Sequence, residues 1–195
     1  MDASRVRELV REAYSAAAEA PEAGHAFPVG RAFAESLGYC GEWLQEIPDE
    51  SVEAFSGVAG VSLNAAIPPG AAVLDLGCGA GLDSFISARR AGPGGRILGI
   101  DFSAAMLKRA VSAAKTARAA SLLFCQADGE RLPVKTGSID VALVNGIFNL
   151  NPARGAIFAE LARVVRRGGA VYAAELILRQ PPPPAATANL TDWFA

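Results

Sequence analysis

Apolar residues recur at helical spacing near the start of the chain. Val6, Leu9, Val10, Ala13, Tyr14 and Ala17 fall on one face, and Arg5, Arg7, Glu8, Arg11 and Glu12 on the other. The pattern predicts an amphipathic helix over residues 4–20 that must dock on something. A stretch broken by Pro and Gly follows over residues 21–30, then a predicted helix over 31–37, then a segment to Pro69 with no clear period. From Ala71 the pattern changes to apolar runs bounded by glycine and alternating with helical segments. Strands are predicted at 71–76, 96–100, 121–125, 139–144 and 170–178, and helices at 84–90, 104–118 and 153–165.

Strands that alternate with helices form a parallel sheet, because each parallel crossover needs a helix to return the chain. The expected fold class is therefore α/β, a doubly wound Rossmann-like sheet of mainly parallel strands. Its ligands bind outside the carboxyl ends of the strands, just after Leu76, Ile100, Cys125 and Val144. Residues 1–69 are expected to form a helical lid, residues 70–180 the ligand-binding domain, and residues 181–195 a tail opened by the polyproline run Pro181–Pro184.

Composition narrows the class. A chain of 195 residues that is 51% hydrophobic and 19% charged is too apolar for disorder and long enough for a core. Lys+Arg 18 against Asp+Glu 20 gives a net charge of -2, which offers no footprint for a polyanion, so nucleic acid is not an expected partner. Three cysteines at 40, 78 and 125, without a CxxC pair, predict neither a disulfide framework nor a metal site. The charged N-terminus lacks the apolar core of a secretory signal, and the uncharged stretch 54–74 is broken by Asn64, Pro68 and Pro69. A cytoplasmic protein without membrane association is expected, despite a mean hydropathy of +0.26.

The first strand runs into Asp75-Leu76-Gly77-Cys78-Gly79-Ala80-Gly81-Leu82-Asp83, where glycines let the chain turn sharply and bring bare backbone against a ligand. The dinucleotide fingerprint G-x-G-x-x-G/A would place Gly or Ala where Leu82 stands, which counts against a nicotinamide cofactor. Asp75, Asp101 and Asp128 mark strand ends and Asp83 opens the next helix, with no lysine or arginine among them. A pyrophosphate would be repelled there. S-adenosylmethionine, with its ammonium, sulfonium and ribose diol, suits such acids. Asp101 stands where an acidic side chain accepts from ribose hydroxyls, with Phe102 and Met106 beside it to sandwich an adenine.

The segments VLDLGCGAG, GIDFS, ADGERLPV, NGIFNL and RVVRRGGAVYAAE occur in this order over roughly residues 70–178. Together they resemble the motifs of class I S-adenosylmethionine-dependent methyltransferases. The resemblance implies that Gly77 and Gly79, within a loop that includes Cys78 and Gly81, meet the methionine moiety together with the Asp75 side chain. It places the ribose on Asp101 and the adenine against Phe102 and Met106, its exocyclic amine on Asp128 and its ring on Gly129, with Asn145 near the methyl donor. The segments VRELVREAYS and LGYCGEWLQEIPDESVEAFSGVAG, and the NL after the fourth strand, resemble arsenite methyltransferases more closely. The cysteines of that family before the first strand and after the fourth fall on Ala59 and Gly146 here, so its thiol set is absent. The family also continues with C-terminal strands that this sequence lacks, which leaves the fifth strand as an edge able to pair with another chain.

The implied activity is methyl transfer from S-adenosylmethionine, leaving S-adenosylhomocysteine, to a small-molecule acceptor held beneath the lid. No residue stands out as a general base. Arsenite methylation through other thiols and a non-catalytic cofactor-binding module are the alternatives. Asp83 reads equally as a helix cap and as a member of the acidic set, Cys78 and Cys125 read as small buried fillers, and His25 as a surface residue. Phe148, Trp43 and Trp193 read as packing, whereas Tyr14 and Tyr39 are lid residues that could face the methyl donor.

Overall fold

The computed structural model describes residues 3–177. The tail proposed for residues 181–195, with Trp193, lies outside the described residues. The chain opens with α1 (Ala3–Glu19), followed by α2 (Arg31–Ser36), α3 (Gly41–Gln45), α4 (Asp49–Val52) and α5 (Val61–Asn64). An alternating series comes next: β1 (Ala72–Leu76), α6 (Leu82–Ala91), β2 (Arg96–Asp101), α7 (Ala104–Thr116), β3 (Leu122–Gln126), β4 (Ile139–Asn145), the 3-10 turn η1 (Phe148–Leu150), α8 (Arg154–Val164) and β5 (Val165–Ala174).

The sheet has the order β3-β2-β1-β4-β5, and every neighbouring pair is parallel. Successive side chains on a strand point to opposite faces, and both faces here are covered. Val73, Ile97, Val141 and Leu143 pack with Phe85 and Ile86 of α6 and with Leu44, Val52 and Phe55 of the N-terminal segment. Their neighbours Leu74, Ile100, Ala142 and Val144 pack against Ile157, Leu161 and Val164 of α8. Burial on two sides explains why these strands read as continuous apolar runs rather than as alternating ones. The order reverses between β1 and β4, and the departing chains there leave a crevice.

The segment 38–69, read as irregular, instead contains α3, α4 and α5. Helices of four or five residues are too short to show a 3.6-residue period. The last strand begins at Val165 rather than near Ala170. Its register against β4 shifts between Ile139 and Val141, and Gly168 adopts φ +77° where the bulged chain turns. Among the described residues no helix is long and apolar enough to cross a membrane, and no group of acidic, histidine or cysteine side chains is placed to hold a metal.

Candidate functional site

A cavity of about 500 Å³ opens at the carboxyl ends of β1, β2 and β4 and is roofed by α1. Asp75, Gly77, Cys78, Gly79, Asp101, Phe102, Asp128, Gly129 and Asn145 all line it. Gly81 and Met106 do not. Gly81 takes φ +94° at the start of α6, and a Cβ there would meet Phe124 at 3.1 Å, so it is a turning and packing glycine. Met106 is buried with Ala17 and Ala18 of α1, Ala54 and Ala80, where it packs against α1 behind the glycine loop.

The loop after β1 is folded back over β2. The amides of Gly77 and Cys78 both donate to the Ile100 carbonyl, at 2.7 and 3.0 Å. Gly77 stands at φ +72°, a conformation that favours glycine, and a Cβ there would overlap the tip of the Ile147 side chain. Asp101 fixes the arrangement from the other side, accepting from the Gly79 amide at 2.9 Å and from the Ser103 amide at 2.8 Å. Its burial raises the carboxyl pKa against the lowering effect of these amides. Asp75, also buried, accepts from Ser84 Oγ at 2.6 Å. Burial first, and then the nearby Asp83, push its pKa up to about 8. Asp128 is exposed and accepts from the Glu130 amide at 3.0 Å.

Asp83 joins the N-terminal segment to the end of β4. It lies inside the first turn of α6, whose N-cap is Gly81, so it does not cap the helix. It accepts from Tyr39 Oη at 2.7 Å, from Asn145 Nδ2 at 2.9 Å and from Ser62 Oγ. Asn145 also accepts from the Val58 amide at 2.8 Å and donates to the Ala59 carbonyl at 2.8 Å, so its amide holds the lid segment at the end of β4. A Cβ on Gly57 would stand 2.5 Å from Asn145 Nδ2, and one on Gly146 would stand 3.1 Å from Val58. The positions matching the arsenite family's cysteines thus lie in two abutting, filled loops.

Tyr14 lines the cavity from above, stacked on Phe27 with centroids 4.6 Å apart. Burial, together with Asp101 and Glu175, raises its pKa and keeps the hydroxyl protonated. Tyr39 is wholly buried and its hydroxyl is engaged by Asp83. Cys78 is buried against Gly99, and burial with Asp75 and Asp101 pushes its thiol up, as suits a filler rather than a nucleophile. Cys125 is half-buried and Cys40 exposed. Half-buried His25 meets the Ala20 carbonyl at 2.9 Å outside the cavity. Phe148 stacks on Phe158, and Trp43 lies under Arg89.

Sequence reasoning missed the roof cations. Arg7 and Arg11 line the cavity one helical turn apart, so lid arginines face an acidic floor. Read as the polar face opposite Tyr14, they in fact flank it at the border of the apolar stripe, and the i, i+4, i+7 spacing of Arg7, Arg11 and Tyr14 was the available signal. Arg7 Nη2 meets Glu130, which also accepts from Asn151 Nδ2 at 3.1 Å, closing the mouth on that side.

Residues 67–194 match the family model described as a methyltransferase domain. An arsenite methyltransferase of Halobacterium salinarum is 32% identical over 149 residues, covering 76% of this chain and 38% of the relative. A demethylmenaquinone methyltransferase of Lactococcus lactis is 33% identical over 106 residues, covering 54% of this chain and 42% of the relative. Among solved structures, an arsenic(III) S-adenosylmethionine methyltransferase from Chlamydomonas reinhardtii superposes with a TM-score of 0.68 at 28% identity, over 75% of this chain and 52% of the other. The chain therefore spans less than half the length of these two curated relatives. With the five-stranded parallel sheet, the glycine loop at its switch point and the family match in agreement, the chain belongs to the methyltransferase-domain family.

Proposed function

We propose that the chain is an S-adenosylmethionine-dependent methyltransferase acting on a small-molecule acceptor held between the sheet and the N-terminal lid. The observation that carries this reading is the acidic floor: Asp75 and Asp101, both buried, face the cavity with hydrogen bonds from Ser84, Gly79 and Ser103 but, among the described residues, with no cation paired to either. Buried carboxylates without a cation are costly. A cationic ligand with hydroxyl and ammonium donors offsets that cost, and the donor set fits such a ligand.

When bound, the cofactor supplies an electrophilic methyl group on a sulfonium. The chain supplies alignment and exclusion of water, which can account for several kcal/mol of a displacement barrier. Asp101 would take the ribose hydroxyls, Asp75 the ammonium, and Phe102 and Gly129 the adenine. Tyr14 stays protonated and closes the roof as a hydrogen-bond donor, not as a base. Asn145 acts through the lid, holding Val58 and Ala59 in place. Arsenite as acceptor is disfavoured, because Ala59 and Gly146 replace thiols and Val58 fills the space above Gly146.

Calorimetric titration with S-adenosylhomocysteine tests the reading. Micromolar binding is expected, weakened roughly 10- to 100-fold in Asp101→Ala by the loss of charged hydrogen bonds. A folded protein that ignores the ligand would overturn it.

A further inference from the structure

Acidic side chains line the floor of the cavity, and two arginines line its roof. Each floor carboxylate already has donors within the chain: Asp75 has Ser84, Asp101 has two amides, and Asp83 has Tyr39, Ser62 and Asn145. The roof arginines are less committed. Arg7 meets Glu130 through Nη2, and its Nε is buried with no hydrogen-bond partner among the described residues. Arg11 lines the same cavity and makes neither a hydrogen bond nor an ion pair among the described residues. A guanidinium that faces a cavity without an acceptor is available to pair with an anionic group on a ligand.

We propose that Arg11, with Arg7 one helical turn away, forms a carboxylate-binding subsite in the lid, and that the acceptor carries an acid group on an apolar body. The proposal rests on the methyltransferase reading, which assigns the acidic floor to the cofactor and leaves the roof to the acceptor. Guanidinium groups present donors in a planar fork that matches a carboxylate, and two of them one turn apart on a helix can converge on one anion. Val10, Phe55, Ile147 and Leu150 line the cavity alongside them and suit an aliphatic or aromatic body. Acids line the strand ends while the arginines stand at the roof, so the acid group is held at the roof and the apolar body points toward the strand ends.

The test measures benzoate and its neutral isostere benzamide by ligand-observed NMR, against the protein saturated with S-adenosylhomocysteine and against the free protein. Benzoate is expected to bind at least about tenfold more tightly than benzamide, and Arg11→Ala is expected to abolish that preference while leaving the S-adenosylhomocysteine affinity within about twofold. Arg11 is exposed, so the substitution leaves the fold intact. Equal binding of the two probes, or a benzoate preference that survives Arg11→Ala, overturns the proposal. It is also overturned if Arg11→Ala weakens S-adenosylhomocysteine but not 5′-methylthioadenosine, which lacks the amino-acid part, because the arginine would then serve the cofactor's own carboxylate. Failure of S-adenosylhomocysteine to bind would count against the methyltransferase reading instead, and the benzoate preference of the free protein would still decide the subsite.

Discussion

Replacing Asp83 with alanine removes a carboxylate that joins the N-terminal segment, α6 and the end of β4. Tyr39 Oη and one hydrogen of Asn145 Nδ2 can still turn to the Ala59 carbonyl, 3.1 and 2.8 Å away in the intact network. The Ser62 hydroxyl and the second Asn145 hydrogen lose their acceptor inside a buried site. Two orphaned donors at about 1–3 kcal/mol each give roughly 2–6 kcal/mol. Removing a buried carboxylate that repels Asp75 returns part of this, so a net loss of about 2–4 kcal/mol is expected. For a chain of this size that is a fall in Tm of roughly 5–15 °C, measurable by thermal or urea unfolding followed by circular dichroism. Asp83→Asn keeps an acceptor for Tyr39 and Ser62 but sets an amide donor against Asn145, and should lose about half as much. Asp83→Ala within about 0.5 kcal/mol of the parent would refute the view that this carboxylate holds the lid.

Three further outcomes follow from the same structure. Asp75 is pushed up to about 8 from 3.8, so the native state holds a proton that the unfolded chain releases; stability should fall as pH rises from about 4 to about 8, and Asp75→Asn should flatten that slope in urea titrations. Iodoacetamide at pH 8 should label exposed Cys40 and spare buried Cys78, whose thiol is pushed up, with equal labelling rates by mass spectrometry contradicting the burial of the glycine loop. A double-mutant cycle of Arg7→Ala and Glu130→Ala should give a coupling below about 1 kcal/mol, because both side chains are partly exposed, yet each should speed amide exchange in α1.

The centre of the sheet was legible because β1 and β4 are buried on both faces, so each is a mainly apolar run closed by glycine. α1 was legible because one stripe of a 17-residue helix is apolar. What sequence could not convey is contact between distant segments. The Asn145 side chain meets Val58 and Ala59 across 87 and 86 positions, and no local pattern encodes that. Asp83 read equally as a cap and as an acid of the set, and only its partners Tyr39 and Ser62 give it a role. Met106 was placed by motif beside the adenine, but whether a helix residue faces the ligand or the lid depends on where α1 docks. The three short helices of the lid left no period to read.

The central claim is that the cleft beneath α1 at the strand ends receives the cofactor. The most direct test is a titration of isotope-labelled protein with S-adenosylhomocysteine, followed through backbone amide shifts. The account predicts shifts at Gly77, Gly79, Phe102 and Gly129, with none at Val111 or Leu123, which are exposed on α7 and the outer strand β3. Shifts confined to that outer edge, or no shifts in a folded protein, would contradict it.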